Sequence, residues 1–187
     1  MPIPQNPSAE AQLVRQAIHG DKQAFGQLFE WYYESILRYF ICRTNERADA
    51  EDMSELVFLK AWQYLPSFGK RGKGKNFRAW LYRIAHNALI DFYRTKKTDC
   101  GALEDFPDPE GSIPAQDAYI NRETNDEIRQ TIRRLDETAK HVVISRFIAG
   151  LTPKEIAHTL GVSEGHVRII QYRAIQKIRK MLGEMHE

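Results

Sequence analysis

Apolar side chains recur at spacings of three and four along most of this chain, the period of a helix that buries one face. Between Gln23 and Arg43 the stripe is Phe25, Leu28, Phe29, Tyr32, Ile36, Leu37 and Phe40. Asp21 precedes it, where a carboxylate can accept from the first free backbone N–H groups. A second helix is predicted from about Ala48 to Leu65, with Met53, Val57, Ala61 and Leu65 on one face. Pro66 is expected to stop it, because proline has no N–H to continue the ladder. A third is predicted from Phe77 to Thr95, with Phe77, Leu81, Ile84, Ala88 and Phe92 inward. A short helix at Glu10–His19 precedes these, and four more are predicted at Ile120–Leu135, Asp136–Ala149, Pro153–Leu160 and Glu164–Leu182. No strand-like alternation competes, so the expected class is all-α.

The pattern breaks once. From Asp99 to Asp117 three prolines, two glycines and six acids interrupt any helical period. That composition predicts a flexible acidic linker. It divides the chain into two small helical domains, 1–98 and 122–187, joined by residues 99–121. Charge follows the same division. The net +2 hides +5 over residues 1–98, −7 over 99–131 and +4 over 132–187. Basic ends can meet a polyanion, whereas an acidic middle is repelled by DNA and attracted to a basic channel.

Other classes are excluded on composition. No run of about 18 apolar residues is present, so no membrane-spanning helix and no direct membrane insertion are expected. The start of the chain lacks the basic and apolar segments of a secretory signal. Only Cys42 and Cys100 occur, without metal-ligand or disulfide spacing, and Cys42 reads as a small buried apolar residue. A cytoplasmic location is expected. None of the six histidines pairs at ligand spacing, and no phosphate-cradling loop occurs. His86 and His158 read as exposed helix residues. The expectation is therefore no enzyme, no catalytic residue, no metal and no cofactor.

The strongest local signal is Leu151–Arg168. Thr152 can cap a helix, Pro153 suits its first position, and Glu155 can close a capping box. Gly161 permits a tight exit, Val162 is expected to plug the corner, and Ser163 caps the next helix. This is a helix-turn-helix, whose second helix enters the DNA major groove. Val167, Ile170, Ala174 and Ile178 should pack inward, leaving Glu164, His166, Arg168, Gln171, Tyr172, Arg173 and Lys177 on the outside. Arginine can read guanine, glutamine adenine, and glutamate cytosine.

The first domain carries two further signals. Trp80, Arg83, Asn87, Asp91 and Arg94 form a second, polar stripe on the third helix. It lies between the basic loop Phe68–Asn76 and the cations Lys96 and Lys97. Aromatic rings among cations suit unstacked single-stranded bases. The second helix opens with Glu46, Asp49, Glu51, Asp52 and Glu55, followed by Phe58, Lys60 and Trp62 as expected exposed bulk. Acids near a helix start are favourable, but five exceed capping needs and repel phosphate, so a protein partner is expected there.

With these residues in view, the chain resembles the extracytoplasmic-function (ECF) sigma factors of the bacterial sigma-70 family, over about Ala11–Leu182. Asp49–Trp62 looks like the core-polymerase-binding stretch of region 2, Asn76–Arg94 like its promoter-melting and minus-ten-reading stretch, and Leu151–Arg168 like region 4, which reads the minus-thirty-five element. The segment Phe77-Arg-Ala-Trp-Leu-Tyr-Arg-Ile-Ala-His-Asn87 is the most specific of the three. The resemblance implies a sigma factor that binds core RNA polymerase, directs it to promoters and helps open minus-ten DNA.

It also implies site residues. Asp49, Asp52, Glu55, Phe58, Lys60 and Trp62 would meet the clamp helices of the largest polymerase subunit. Phe68, Lys75, Asn76, Arg78, Trp80, Arg83, Asn87, Asp91, Arg94, Lys96 and Lys97 would meet minus-ten DNA, partly single-stranded. Ser163, Glu164, His166, Arg168, Gln171, Tyr172, Arg173 and Lys177 would meet the minus-thirty-five duplex. The implied partners are core polymerase, including the flap of its beta subunit, promoter DNA and an anti-sigma factor. Three departures stand out, one being the loop Lys70–Lys75, which is more basic and glycine-rich than is usual. Glu55-Leu56 replaces the usual Gln-Glu, and Arg168-Ile169-Ile170 replaces the usual Lys-Ser-Arg. A rival reading is an autonomous helix-turn-helix regulator whose N-terminal domain senses a ligand.

Overall fold

The computed structural model describes residues 7–44, 46–70, 76–99, 128 and 130–184. All the described regular structure is helical. The chain divides into two compact units, Met1–Pro109 and Glu110–Glu187. Residues 100–121 of the expected linker and the bulk of the helix predicted over 120–135 lie outside the described residues.

The first unit contains α1 (Pro7–Ile18), α2 (Lys22–Ile41), α3 (Arg47–Lys70) and α4 (Phe77–Asp99). The α2 start is set locally. Gly20 turns the chain at φ +93, and the Asp21 carboxylate accepts from the N–H groups of Gln23 at 2.9 Å and Ala24 at 3.1 Å. Leu28, Tyr32, Ile36 and Phe40, spaced by four, are completely buried. They meet Ala50, Met53, Val57, Ala61 and Leu65 of α3 and Phe77, Leu81, Ala85 and Ala88 of α4. Tyr32, Tyr39 and Tyr82 join this core. Burial pushes the Tyr82 hydroxyl up to about 12, so it stays neutral.

Pro66 does not stop α3, which runs on to Lys70. The missing N–H costs one hydrogen bond to the Trp62 carbonyl. Continuing the helix buries Leu65 and Phe68 on the same face, and Phe68 packs on Phe77 and Trp80. Tertiary packing outweighs the local penalty. The same extension brings Gly69 against α1, where a Cβ would lie 2.8 Å from Ile18 Cγ2.

In the second unit, residues 130–133 are helical. The Asp136 carboxylate then caps α5 (Glu137–Val143) by accepting from the Ala139 N–H at 2.9 Å. The predicted single helix to Ala149 is not uniform. Residues Ile144–Ile148 form a π-helical turn, with the Ala149 N–H donating to the Ile144 carbonyl at 3.0 Å. Ser145 of this turn is buried and its Oγ lies 3.4 Å from Nε2 of buried His141, one turn earlier. Two helices follow, α6 (Pro153–Leu160) and α7 (Glu164–Glu184).

Candidate nucleic-acid and protein-docking faces

The α6–α7 turn is a helix-turn-helix fixed by its caps. Thr152 Oγ1 accepts from the Glu155 N–H at 3.3 Å, and the Glu155 carboxylate accepts from the Thr152 N–H at 2.6 Å. Gly161 ends α6 with φ +69, a left-handed conformation that costs a residue with a Cβ about 1–2 kcal/mol. The Ser163 hydroxyl accepts from the His166 N–H at 3.2 Å, so this predicted DNA contact is the cap of α7. Val162 does not plug the corner. It is exposed, and its N–H closes the turn on the Ala157 carbonyl. Ile156 and Ala157 fill the core against Val167 and Ala174.

His166, Arg168, Tyr172, Arg173 and Lys177 of α7 are exposed as predicted, while Glu164 and Gln171 are half-buried. Arg168 donates to the Glu164 carboxylate at 2.6 Å, one turn back. The sequence pattern did not place Ile169 among the exposed residues of this helix. It is 50% exposed and lies beside Tyr172, 66% exposed, directly opposite buried Val167 and Ala174. Its position on the helix opposite Val167 was the available signal.

On α4, Arg83, Asn87 and Arg94 are exposed and Asp91 half-buried, with Arg94 donating to Asp91 at 3.0 Å. Half-buried Trp80 heads this stripe. Its ring lies 4.6 Å from Phe68 and 5.6 Å from Phe77. Phe68 is therefore a buried support of the aromatic cluster at the end of α3, not part of an open loop. Asn76 is the α4 cap, its side-chain oxygen accepting from the Ala79 N–H at 3.1 Å. Arg78 lies off the stripe, its charge near the Tyr32 and Tyr82 hydroxyls. Lys75 and the Lys97 side chain lie outside the described residues. His86 is half-buried rather than exposed, and burial, reinforced by the Arg43 charge, holds its imidazole below the ordinary range.

The outer face of α3 is acidic and apolar together. Asp52, Glu55, Leu56 and Leu59 are all exposed and repeat at three and four, with Lys60 half-buried at their edge. Phe58 is not on this face. It is 3% exposed, edge-on to Phe29 at 4.7 Å. Trp62 is half-buried against Phe25, 4.9 Å away. Both were expected to be exposed bulk. Their wide rings fill the α2–α3 contact instead, and the smaller Leu56 and Leu59 are what solvent sees. Asp49 points to another helix, accepting from Lys96 Nζ of α4 at 2.9 Å. No helix among the described residues is long and apolar enough to cross a membrane.

These two units match known families in the same order. The model of sigma-70 region 2 matches residues 28–98, and that of sigma-70 region 4 matches residues 131–180. The chain is 30% identical over 177 residues to the ECF RNA polymerase sigma factor BldN of Streptomyces coelicolor, covering 92% of this chain and 66% of BldN. It is 30% identical over 156 residues to the RNA polymerase sigma factor SigZ of Bacillus subtilis, covering 83% of this chain and 85% of SigZ. Its fold is similar to CnrH, solved in complex with the cytosolic domain of CnrY, with a TM-score of 0.72 and 25% identity over 94% of this chain and 98% of that one. A region 2 unit and a region 4 unit in this order, and relatives matched across both, place the chain among the ECF sigma factors of the sigma-70 family.

Proposed function

We propose that this chain is a promoter-specificity subunit that works only on core RNA polymerase, with its binding work divided among three helices. The α3 face of Asp52, Glu55, Leu56 and Leu59 docks on the clamp helices of the largest subunit. Leucines desolvate on contact while the acids meet cations at the rim. The exposed Arg83, Asn87 and Arg94 of α4 hold the minus-ten strand, and half-buried Trp80 offers its ring to stack an unpaired base. Capturing a base costs a few kcal/mol of unstacking, which polymerase contacts help to offset. The α7 face places Arg168, Ile169, Tyr172 and Arg173 in the minus-thirty-five major groove, with Lys177 toward phosphate. The second unit also rests on the flap of the beta subunit. An anti-sigma factor covering the α3 face would block the first of these steps.

The observation that carries this reading is the chemistry of the α3 face. Its acids repel DNA and its exposed leucines favour a protein surface, which an autonomous DNA-binding regulator does not need. The test is permanganate mapping of unpaired thymines on fragments of the source genome. Opening should require core polymerase and this chain together. Full-affinity, site-specific duplex binding by the chain alone, unchanged by core polymerase, would favour the autonomous regulator.

A further inference from the structure

The pair between α3 and α4 joins two helices that the proposed function assigns to different partners. Asp49 stands in the first turn of α3, and Lys96 near the end of α4, 47 residues away. Their side chains are only 21% and 44% exposed, and Nζ to Oδ2 is 2.9 Å. The same ammonium sits 4.8 Å above the Phe92 ring. One turn earlier the Tyr93 hydroxyl donates to the backbone carbonyl of Arg43, at the end of α2. The last turns of α4 are thus fastened at two points to the α2–α3 junction. Arg94, the final cation of the exposed α4 stripe, lies between those two points in sequence.

We infer that Asp49 is a positioning residue for the minus-ten helix rather than a polymerase contact: through Lys96 it holds the end of α4 so that Arg94 faces DNA. This rests on the assignment of α4 to minus-ten DNA. The carboxylate suits the task because it is favourable at the start of α3 and holds the Lys96 ammonium of the other helix at 2.9 Å. A partly buried, interhelical pair couples its members more strongly than a surface pair one turn apart.

The test uses the full chain as Asp49→Asn, Asp49→Glu, Lys96→Met and the Asp49→Asn/Lys96→Met double variant. Three quantities are read. The first is affinity for core polymerase. The second is amide hydrogen exchange over residues 93–96. The third is affinity of the polymerase complex for a single-stranded DNA selected from a random pool by the wild-type complex. Asp49→Asn should speed exchange at the end of α4 and weaken strand binding by about 3- to 10-fold, with polymerase affinity unchanged within about twofold. Asp49→Glu should restore most of the strand binding, and the double variant should be no worse than Lys96→Met alone.

Three results would overturn the inference. Loss of polymerase affinity in Asp49→Asn, equally in the Lys96→Met background, would make Asp49 a docking contact. Tighter strand binding in Asp49→Asn would mean that Asp49 merely masks a phosphate-binding lysine. Unchanged exchange over residues 93–96 would mean the pair holds nothing. Failure of the wild-type chain to bind core polymerase would instead refute the proposed function, and the exchange measurement on the chain alone would still decide whether Asp49 holds α4.

Discussion

Phe58 and Leu59 are neighbours on α3 with opposite surroundings, and truncating each to alanine separates folding from docking. Phe58 is 3% exposed, packed edge-on to Phe29 at 4.7 Å and near Tyr33 at 6.2 Å. Removing a buried phenylalanine ring costs about 3–5 kcal/mol, because the cavity relaxes only partly. The edge-to-face contact belongs to the upper part of that range. For a unit of roughly 100 residues, about 3 kcal/mol lowers the Tm by at least about 12 °C. Leu59 is 55% exposed, so Leu59→Ala should change stability by no more than about 0.5 kcal/mol. Yet it should weaken core polymerase binding, since the proposed docking face loses an anchor. Thermal unfolding followed by circular dichroism, with a titration against core polymerase, reads both quantities. A Phe58→Ala protein with wild-type Tm and defective docking would refute this placement and return Phe58 to the surface.

Two further outcomes follow from the structure. Arg168→Ala should cost about 1–3 kcal/mol on the matched minus-thirty-five duplex, measured by anisotropy against a scrambled duplex; an equal loss on both would make Arg168 a phosphate contact. His86 has its imidazole held low by burial and by Arg43. The folded state therefore takes up its proton less readily than the unfolded chain, so stability rises with pH between the lowered value and the ordinary 6.5 and is lost as pH falls through that window. Urea unfolding from pH 7 to pH 5 should show that loss, and His86→Gln should flatten it; an equal slope in the variant would assign the effect to other groups.

Local signals carried much of the fold. Asp21, Thr152 with Glu155, Gly161 and Ser163 each cap or end the helix that the sequence pattern assigns to them, because capping is decided within three or four residues. What failed was decided at longer range. Pro66 is a strong local stop, but the contact of Phe68 with Phe77 and Trp80 lies across a helix junction and overrides it. The π turn at Ile144–Ile148 changes the ladder without changing the apolar pattern. On α3 periodicity found the inward stripe of Met53, Val57, Ala61 and Leu65 but not how far burial extends around the helix from it. Phe58 is therefore buried and Trp62 half-buried where exposed bulk was expected, and Leu56 and Leu59 are the exposed apolar residues instead. The exposure of Ile169 was not legible because hydrogen-bonding residue types single out only polar side chains on such a helix, although an apolar side chain can also contact a thymine methyl.

The most direct measurement is co-elution of the purified chain with bacterial core RNA polymerase in size exclusion, with Asp52→Arg as control. Asp52 is exposed at the head of the proposed docking face on α3, so the reversal should leave the fold intact and remove the complex. Stoichiometric co-elution of the wild-type chain, lost in Asp52→Arg, is the predicted result. A folded, monodisperse wild-type chain that elutes apart from the polymerase, or an Asp52→Arg chain that binds as well as wild type, would contradict the account.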